Sequence, residues 1–308
     1  MAMNAGEVRL IDPILTTVAQ GYIQPELIGR NIFPGVPVEI SGGQVLQFGK
    51  EAFQQYNLRR APGAAIKRID FGYVGQHYAL TEDAVECKVP FEWLRDAAVM
   101  PGIDLGTRAV RLGLAVVNLS LELEQAALAL NPANYDDNHQ IALAGAAKWS
   151  NAAADPVMDI LEYREAIRSS VGIYPNLLTL GPAAWNALRS NPNVIERYKY
   201  TSAKSISVDM IAELVEVERV QVGKAITATD AGVMSDIWGN NALLSFSPTS
   251  VIGPEQPSFG YTYTMNGNPL VMIPYMERHV RSWIYPTAYE RAPVIAAPDA
   301  AFLIQTPA

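Results

Sequence analysis

The sequence predicts an α+β fold. Three observations carry the prediction: an unbroken helical pattern over about 104–130, a mixed helix and strand pattern over about 155–250, and short β-prone runs punctuated by proline over 258–308. At 308 residues the chain can form one large domain or two to three smaller ones. A chain of this size buries roughly 75% of its unfolded surface, so its core needs no covalent staples.

Residues 1–43 read as an arm. Pro13, Pro25, Pro34 and Pro37 break every regular pattern there, so the segment needs a surface to lie on, its own or a neighbour's. Residues 44–80 read as a two-limbed β-ribbon. On the returning limb Ile69, Phe71 and Tyr73 alternate with Arg68, Asp70 and Gly72, and Pro62-Gly63 marks the turn. A hairpin of that length must rest on something. Residues 81–103 are expected to form short helical pieces broken by Pro90 and Pro101.

The long helix opens at Asp104 as N-cap and would run roughly 40 Å. Its polar stripe is Arg108, Arg111, Asn118, Glu122 and Gln125, and the rest is mostly Leu, Val and Ala, as for a girder crossing a sheet. Asn118, Glu122, Glu124 and Gln125 argue against a membrane span. A polar loop, 131–140, follows. The next region is expected to hold helices 156–170, 182–190 and 208–215 and strands 177–180, 217–222 and 242–246.

Several chemistries are disfavoured. Net charge is −8 and the sequence pI is about 5.0, against the basic surface of a protein that grips nucleic acid through its phosphates. The single cysteine, Cys87, permits neither an internal disulfide nor a thiolate metal cage. The N-terminus has no apolar core segment of a secretory signal. Gly172 and Gly181 lie at opposite ends of a strand, too far apart for a dinucleotide fingerprint, and Pro182 removes an N–H that would meet a phosphate. His77, His139 and His279 belong to no metal motif. Asp136, Asp137 and His139 lack the pattern of a calcium loop and read as a solvated loop. No catalytic, metal or cofactor residue is assigned.

Charge placement is more informative. Over 44–70, Lys50, Arg59, Arg60, Lys67 and Arg68 face only Glu51 and Asp70, a local net of +3. Over 120–165, eight acidic residues face only Lys148 and Arg164, a local net of −6. A basic ribbon and an acidic body suit head-to-tail contact between copies. The inter-subunit contact candidates are Lys50, Arg59, Arg60, Lys67, Arg68, Glu122, Asp136 and Asp137.

The order of elements resembles the major capsid proteins of tailed bacteriophages, the Hong Kong 97 fold. The resemblance covers nearly the whole chain. "LIDPILTTVAQGYIQPELIGRNIFPGVPV" (10–38) looks like the family's N-terminal arm, 42–80 like its extended E-loop, and "IDLGTRAVRLGLAVVNLSLELEQAALAL" (103–130) like its spine helix. The stretches 159–192 and 206–226 are similar to its axial A-domain, and "YMERHVRSWIYP" (275–286) to the return into its peripheral P-domain. The implied division is arm 1–43, E-loop 44–80, peripheral domain with spine helix 81–150, axial domain 151–250 and return strands of the peripheral domain 251–308.

The resemblance implies a non-enzymatic shell protein of the virion, with no cofactor and no membrane. Pentamers and hexamers would close an icosahedral head around double-stranded DNA without reading its sequence. A separate scaffolding protein is implied, since the arm begins near Met1, along with a portal, a decoration protein and assembly in the host cytoplasm. Some members crosslink an E-loop lysine to a neighbour's asparagine; Lys50 and Lys67 lie in the ribbon, but nothing marks a partner. The alternatives are an encapsulin-like protein compartment and a soluble αβ nucleotide-binding enzyme built on 155–250.

Overall fold

A computed structural model describes residues 15–16, 26–44, 59, 77–97, 104–199, 206–229, 232–248 and 258–308. Helix α1 is one turn, Gly29–Ile32, followed by β1 (Gly35–Val38) and β2 (Gly42–Gln44). Then come β3 (His77–Ala79), β4 (Thr81–Pro90), α2 (Phe91–Ala97) and the long α3 (Leu105–Ala129). Strand β5 (Gln140–Ala142) leads to α4 (Pro156–Val171), β6 (Leu177–Leu180), α5 (Pro182–Ser190), α6 (Pro192–Tyr198) and α7 (Val208–Leu214). Strands β7 (Arg219–Val222), β8 (Ile226–Ala228), β9 (Met234–Asp236) and β10 (Asn241–Ser245) follow. The chain ends in β11 (Gly260–Met265), β12 (Leu270–Val271), β13 (Tyr275–Glu277), β14 (Ser282–Ile295) and β15 (Ala301–Gln305).

The first sheet is organised on β14. Strand β4 pairs antiparallel along Ser282–Arg291 on one flank, while β13, β12 and β11 take successive stretches of the other. Strand β1 then adds parallel to β11. Two of the short β-prone runs expected over 258–308, "HVRSWIY" (279–285) and "APVIAA" (292–297), are therefore largely one strand of 14 residues. Its prolines sit where a flank is open. Pro286 lies between the stretches paired to β13 and β12, and Pro293 lies past the last β4 pair.

Residues 81–90 are a strand, not the expected helical piece. Val85, Cys87 and Val89 are half-buried or buried, while Glu82, Ala84, Glu86 and Lys88 are exposed. That is the period of a sheet with one covered face. Helix α3 supplies the cover: it packs on both β4 and β14. Its N-cap is the expected one, with Asp104 Oδ1 accepting from Gly106 N at 2.9 Å and Thr107 N at 3.2 Å. By length and composition α3 could cross a membrane, but half of its most apolar stretch is buried in the fold, as in a core helix.

The second sheet has the order β5-β15-β10-β6-β7. One face, with Leu178, Leu180, Leu244, Phe302 and Ile304, packs against Val157, Ile160 and Ile167 of α4, Leu188 of α5 and Ile211 of α7. The opposite face, with Leu177, Leu243 and Leu303, joins a core that includes Ile28, Ile32, Phe33, Ala126, Trp238 and Phe259. Strands buried on both faces explain the largely apolar run Leu177–Leu180, where even Thr179 is buried.

One expectation changes here. The last strand, β15, leaves the first sheet and pairs with β10 and β5, so the chain's end does not simply return to one peripheral layer. For residues 27–38 of the arm the surface is this chain's own core, where Ile28, Ile32, Phe33 and Val36 are buried. Residues 1–14 and 17–25 of the arm lie outside the described residues. Helix α6 was not anticipated; its Asn191 cap accepts from Asn193 N at 2.9 Å.

Candidate functional site

The polar stripe of α3 splits. Arg108 and Arg111 are exposed, whereas Asn118, Glu122 and Gln125 turn inward. Glu122 is 2% exposed. Its carboxylate accepts from Ile28 N at 3.0 Å, Gly29 N at 2.9 Å and Trp238 Nε1 at 2.7 Å. Two of those donors are free N–H groups at the start of α1, which have no intrahelical acceptor. Gln125 Nε2 donates to Thr262 Oγ1 at 2.9 Å, and that hydroxyl donates to Phe33 O at 3.1 Å. One helix face thus ties together the end of the arm, the turn after β9 and strand β11. Burial pushes the Glu122 carboxyl above the usual range, and its three donors hold the rise in check. Sequence reasoning placed Glu122 among the inter-subunit contacts. The structure corrects that: the carboxylate is spent inside the subunit.

The other predicted contacts fall as follows. Lys50, Arg60, Lys67 and Arg68 lie outside the described residues, and Arg59 is exposed. At the foot of the ribbon β2 pairs antiparallel with β3, and Tyr78 stacks on Tyr263 with ring centroids 4.3 Å apart. Asp136 and Asp137 are exposed on the loop after α3. Burial works to raise the Asp136 pKa, but its bond to His139, helped by backbone N–H groups of Asn138 and His139, outweighs it and carries it below the usual range.

Sequence reasoning missed the uncovered apolar faces. On the outer side of α3, Leu112 is 60% exposed, Val116 50% and Leu123 37%. Trp93 of α2 stands nearby at 63%, and a groove of about 560 Å³ runs between Trp93, Leu105, Arg108, Leu112, Glu86 and Val89. The signal was present. A helix apolar on two opposite sides has two faces to bury, and among the described residues α3 buries only the side carrying Val110, Leu114, Val117 and Leu121. The β8–β9 ribbon likewise exposes Ile226, Val233 and Met234.

The αβ unit at 156–190 holds no phosphate cradle. Helix α4 ends at Gly172 in the left-handed conformation, φ 75°. At Gly181 the chain meets the turn after β9 so closely that a Cβ would strike the Gly239 carbonyl. The space in front of α5 is filled by backbone, and Gly181 N donates to Asn241 O at 2.8 Å.

Comparison with known proteins places these features. A family model described as phage major capsid protein E matches residues 134–247. The major capsid protein of Burkholderia phage BcepMu is 35% identical over 269 residues, covering 86% of this chain and 87% of that one. The crystal structure of a phage-related protein from Bordetella bronchiseptica RB50 superposes with a TM-score of 0.85 at 45% identity, covering 97% of this chain and 98% of that one. The capsid of cyanophage P-SCSP1u shares the fold at 12% identity, with a TM-score of 0.55 and coverage of 92% and 89%.

Proposed function

We propose how this chain builds a shell from one premise: it belongs to the major capsid proteins of tailed bacteriophages. It is a structural protein of the virion with a Hong Kong 97-type α+β fold, it is not an enzyme, and many copies assemble into the capsid. The finer reading follows. Copies form pentamers and hexamers of an icosahedral head. Residues 151–250 surround the capsomer axis, 81–150 and most of 251–308 form the periphery, and the arm ahead of residue 27 and the E-loop (44–80) lap over neighbours. Lys50, Arg59, Arg60, Lys67 and Arg68 then meet acidic groups of the next copy, Asp136 and Asp137 among them. Such contacts set register and steer encounter more than they add affinity.

The observation that carries this reading is the uncovered apolar face of α3, with Leu112 and Val116 at least half exposed in a helix otherwise built into the core. Large apolar faces of that kind mark surfaces for partners. The net charge of −8 suits a wall that encloses DNA without gripping its phosphates. A separate scaffolding protein, a portal and a decoration protein complete the head, which assembles in the host cytoplasm.

The test is expression with and without the candidate scaffold, followed by negative-stain imaging. Closed shells are expected, and Arg59→Glu with Arg60→Glu is expected to leave the subunit folded while weakening the shells. Persistent monomers under all conditions would sink the reading. Shells filled with enzyme cargo instead of DNA would turn it toward a protein compartment.

A further inference from the structure

We propose that residues 66–73 of a neighbouring copy add as a parallel strand to the open edge of β4. This rests on the reading of the chain as a shell subunit and names one contact through which its ribbon holds the next copy. Strand β4 has 10 residues and pairs with β14 on one side. Among the described residues no strand pairs with its other side. A long uncovered edge is a template for a further strand.

The ladder fixes which groups that edge offers. Phe91 N donates to Arg281 O at 2.9 Å, one position beyond the Pro90–Ser282 pair. Hydrogen-bonded pairs alternate along an antiparallel ladder, so Asp83, Val85, Cys87 and Val89 spend their backbone groups on β14. Glu82, Ala84, Glu86 and Lys88 turn theirs outward. Pro90, which has no N–H, falls at an outward position and costs the β14 ladder nothing. Beside this edge lies the groove of about 560 Å³ lined by Val89, Trp93 and Leu112. Val85 and Cys87 point to the same face, toward Gly113 of α3. A strand added at the edge sends alternate side chains over the groove, where Trp93 and Leu112 are exposed.

The chain carries a segment of matching chemistry. Ile69, Phe71 and Tyr73 alternate with Arg68 and Asp70. Laid parallel with Arg68 beside Glu86, the segment also sets Asp70 beside Lys88, and opposite charges on neighbouring strands attract. Ile69 and Phe71 then fall beside Cys87 and Val89, over the groove. An antiparallel strand forfeits one pair, since Asp70 meets Ala84 when Arg68 meets Glu86. A chain cannot supply this strand to itself. Tyr73 lies level with Phe91 in this register, about 33 Å of strand past Thr81. The intervening chain from Tyr73 to Thr81 spans at most about 29 Å. The occupant is therefore a second copy.

The test titrates a labelled peptide of residues 64–75 with the full-length chain, kept dilute and unassembled, and follows fluorescence anisotropy. Saturable binding is expected. In this register the backbone of Ile69 and Phe71 faces β4, and that of Arg68 and Asp70 faces away. N-methylation at Ile69 and Phe71 should weaken binding roughly ten-fold or more, while N-methylation at Arg68 and Asp70 should be tolerated. Ala84→Pro, which removes an outward N–H and spares the β14 ladder, should also weaken it. Glu86→Arg should bind the unaltered peptide less well and a peptide with Arg68→Glu better. Circular dichroism checks that each variant is folded. No saturable binding, or binding indifferent to methylation at Ile69 and Phe71, would overturn the proposal. Closed shells from a chain that binds no peptide would refute this contact and leave the shell reading standing. Peptide binding with the expected methylation pattern, by a chain that never assembles, would support the contact and count against the shell reading.

Discussion

Truncating Glu122 to alanine leaves three buried donors without their acceptor: Ile28 N, Gly29 N and Trp238 Nε1. Each buried donor left unmet costs about 1–3 kcal/mol. Some of that is returned, because removing the carboxylate also removes a desolvation cost large enough to raise its pKa. The expected net loss is about 3–5 kcal/mol, the range for breaking a buried charged contact from one side. Unfolding entropy of about 2.1 cal/mol/K per residue converts this to a fall in Tm of roughly 5–8 °C if the chain unfolds as one unit. Calorimetry on the unassembled subunit reads the shift. Asp137→Ala, on the exposed loop, is the control and should stay within about 0.5 kcal/mol. Trp238→Phe keeps a ring in place but removes one donor, so combining it with Glu122→Ala should cost less than the sum of the two. A Glu122→Ala subunit melting within about 1 °C of the unaltered chain would refute the reasoning, and so would strict additivity with Trp238→Phe.

Other perturbations have distinct signatures. Gly181→Ala forces a Cβ against the Gly239 carbonyl, and calorimetry should show a loss of about 1–3 kcal/mol from the overpacked contact. Leu112→Glu with Val116→Glu changes exposed residues of α3, so the subunit should melt near its usual temperature while size-exclusion chromatography shows assembly lost. Asp104→Ala removes the cap of α3 and should cost about 1 kcal/mol. The Thr107 hydroxyl bond, with two backbone N–H bonds, holds the Asp104 pKa below 3.8. A depressed folded pKa gives stability that is present above the unfolded value and is lost as pH falls through the folded one. The gap between Asp104→Ala and the unaltered chain should therefore be flat at neutral pH and close only in acid below about 3.8, read by denaturant titrations across pH.

Long periodic elements were legible. The pattern over 104–130 became Leu105–Ala129 with the expected cap, and strand 177–180 and helix 182–190 came out as read. Strand β4 was obscured because Pro90 and scattered acidic residues mask a period-two pattern that only Val85, Cys87 and Val89 carry. The unity of β14 was hidden by prolines, whose tolerance depends on which flank is open, a fact of topology. Glu122 shows the limit most clearly. Its place on a polar stripe could be read, but not the direction of the stripe, since its donors lie 94, 93 and 116 residues away. The sequence likewise placed Asp136 beside His139 as a solvated pair. Only the fold brings Asp299, on the turn before the last strand, to the same point.

The central claim is that the faces left uncovered on one chain are covered by other copies of it. Cryo-electron microscopy of particles assembled from the purified chain, with its scaffold if one is required, tests this most directly. The account predicts closed shells in which the outer face of α3, at Leu112 and Val116, and the exposed Arg59 are in contact with neighbouring subunits. Closed shells that leave those residues facing solvent, or a chain that never advances beyond monomers, would contradict it.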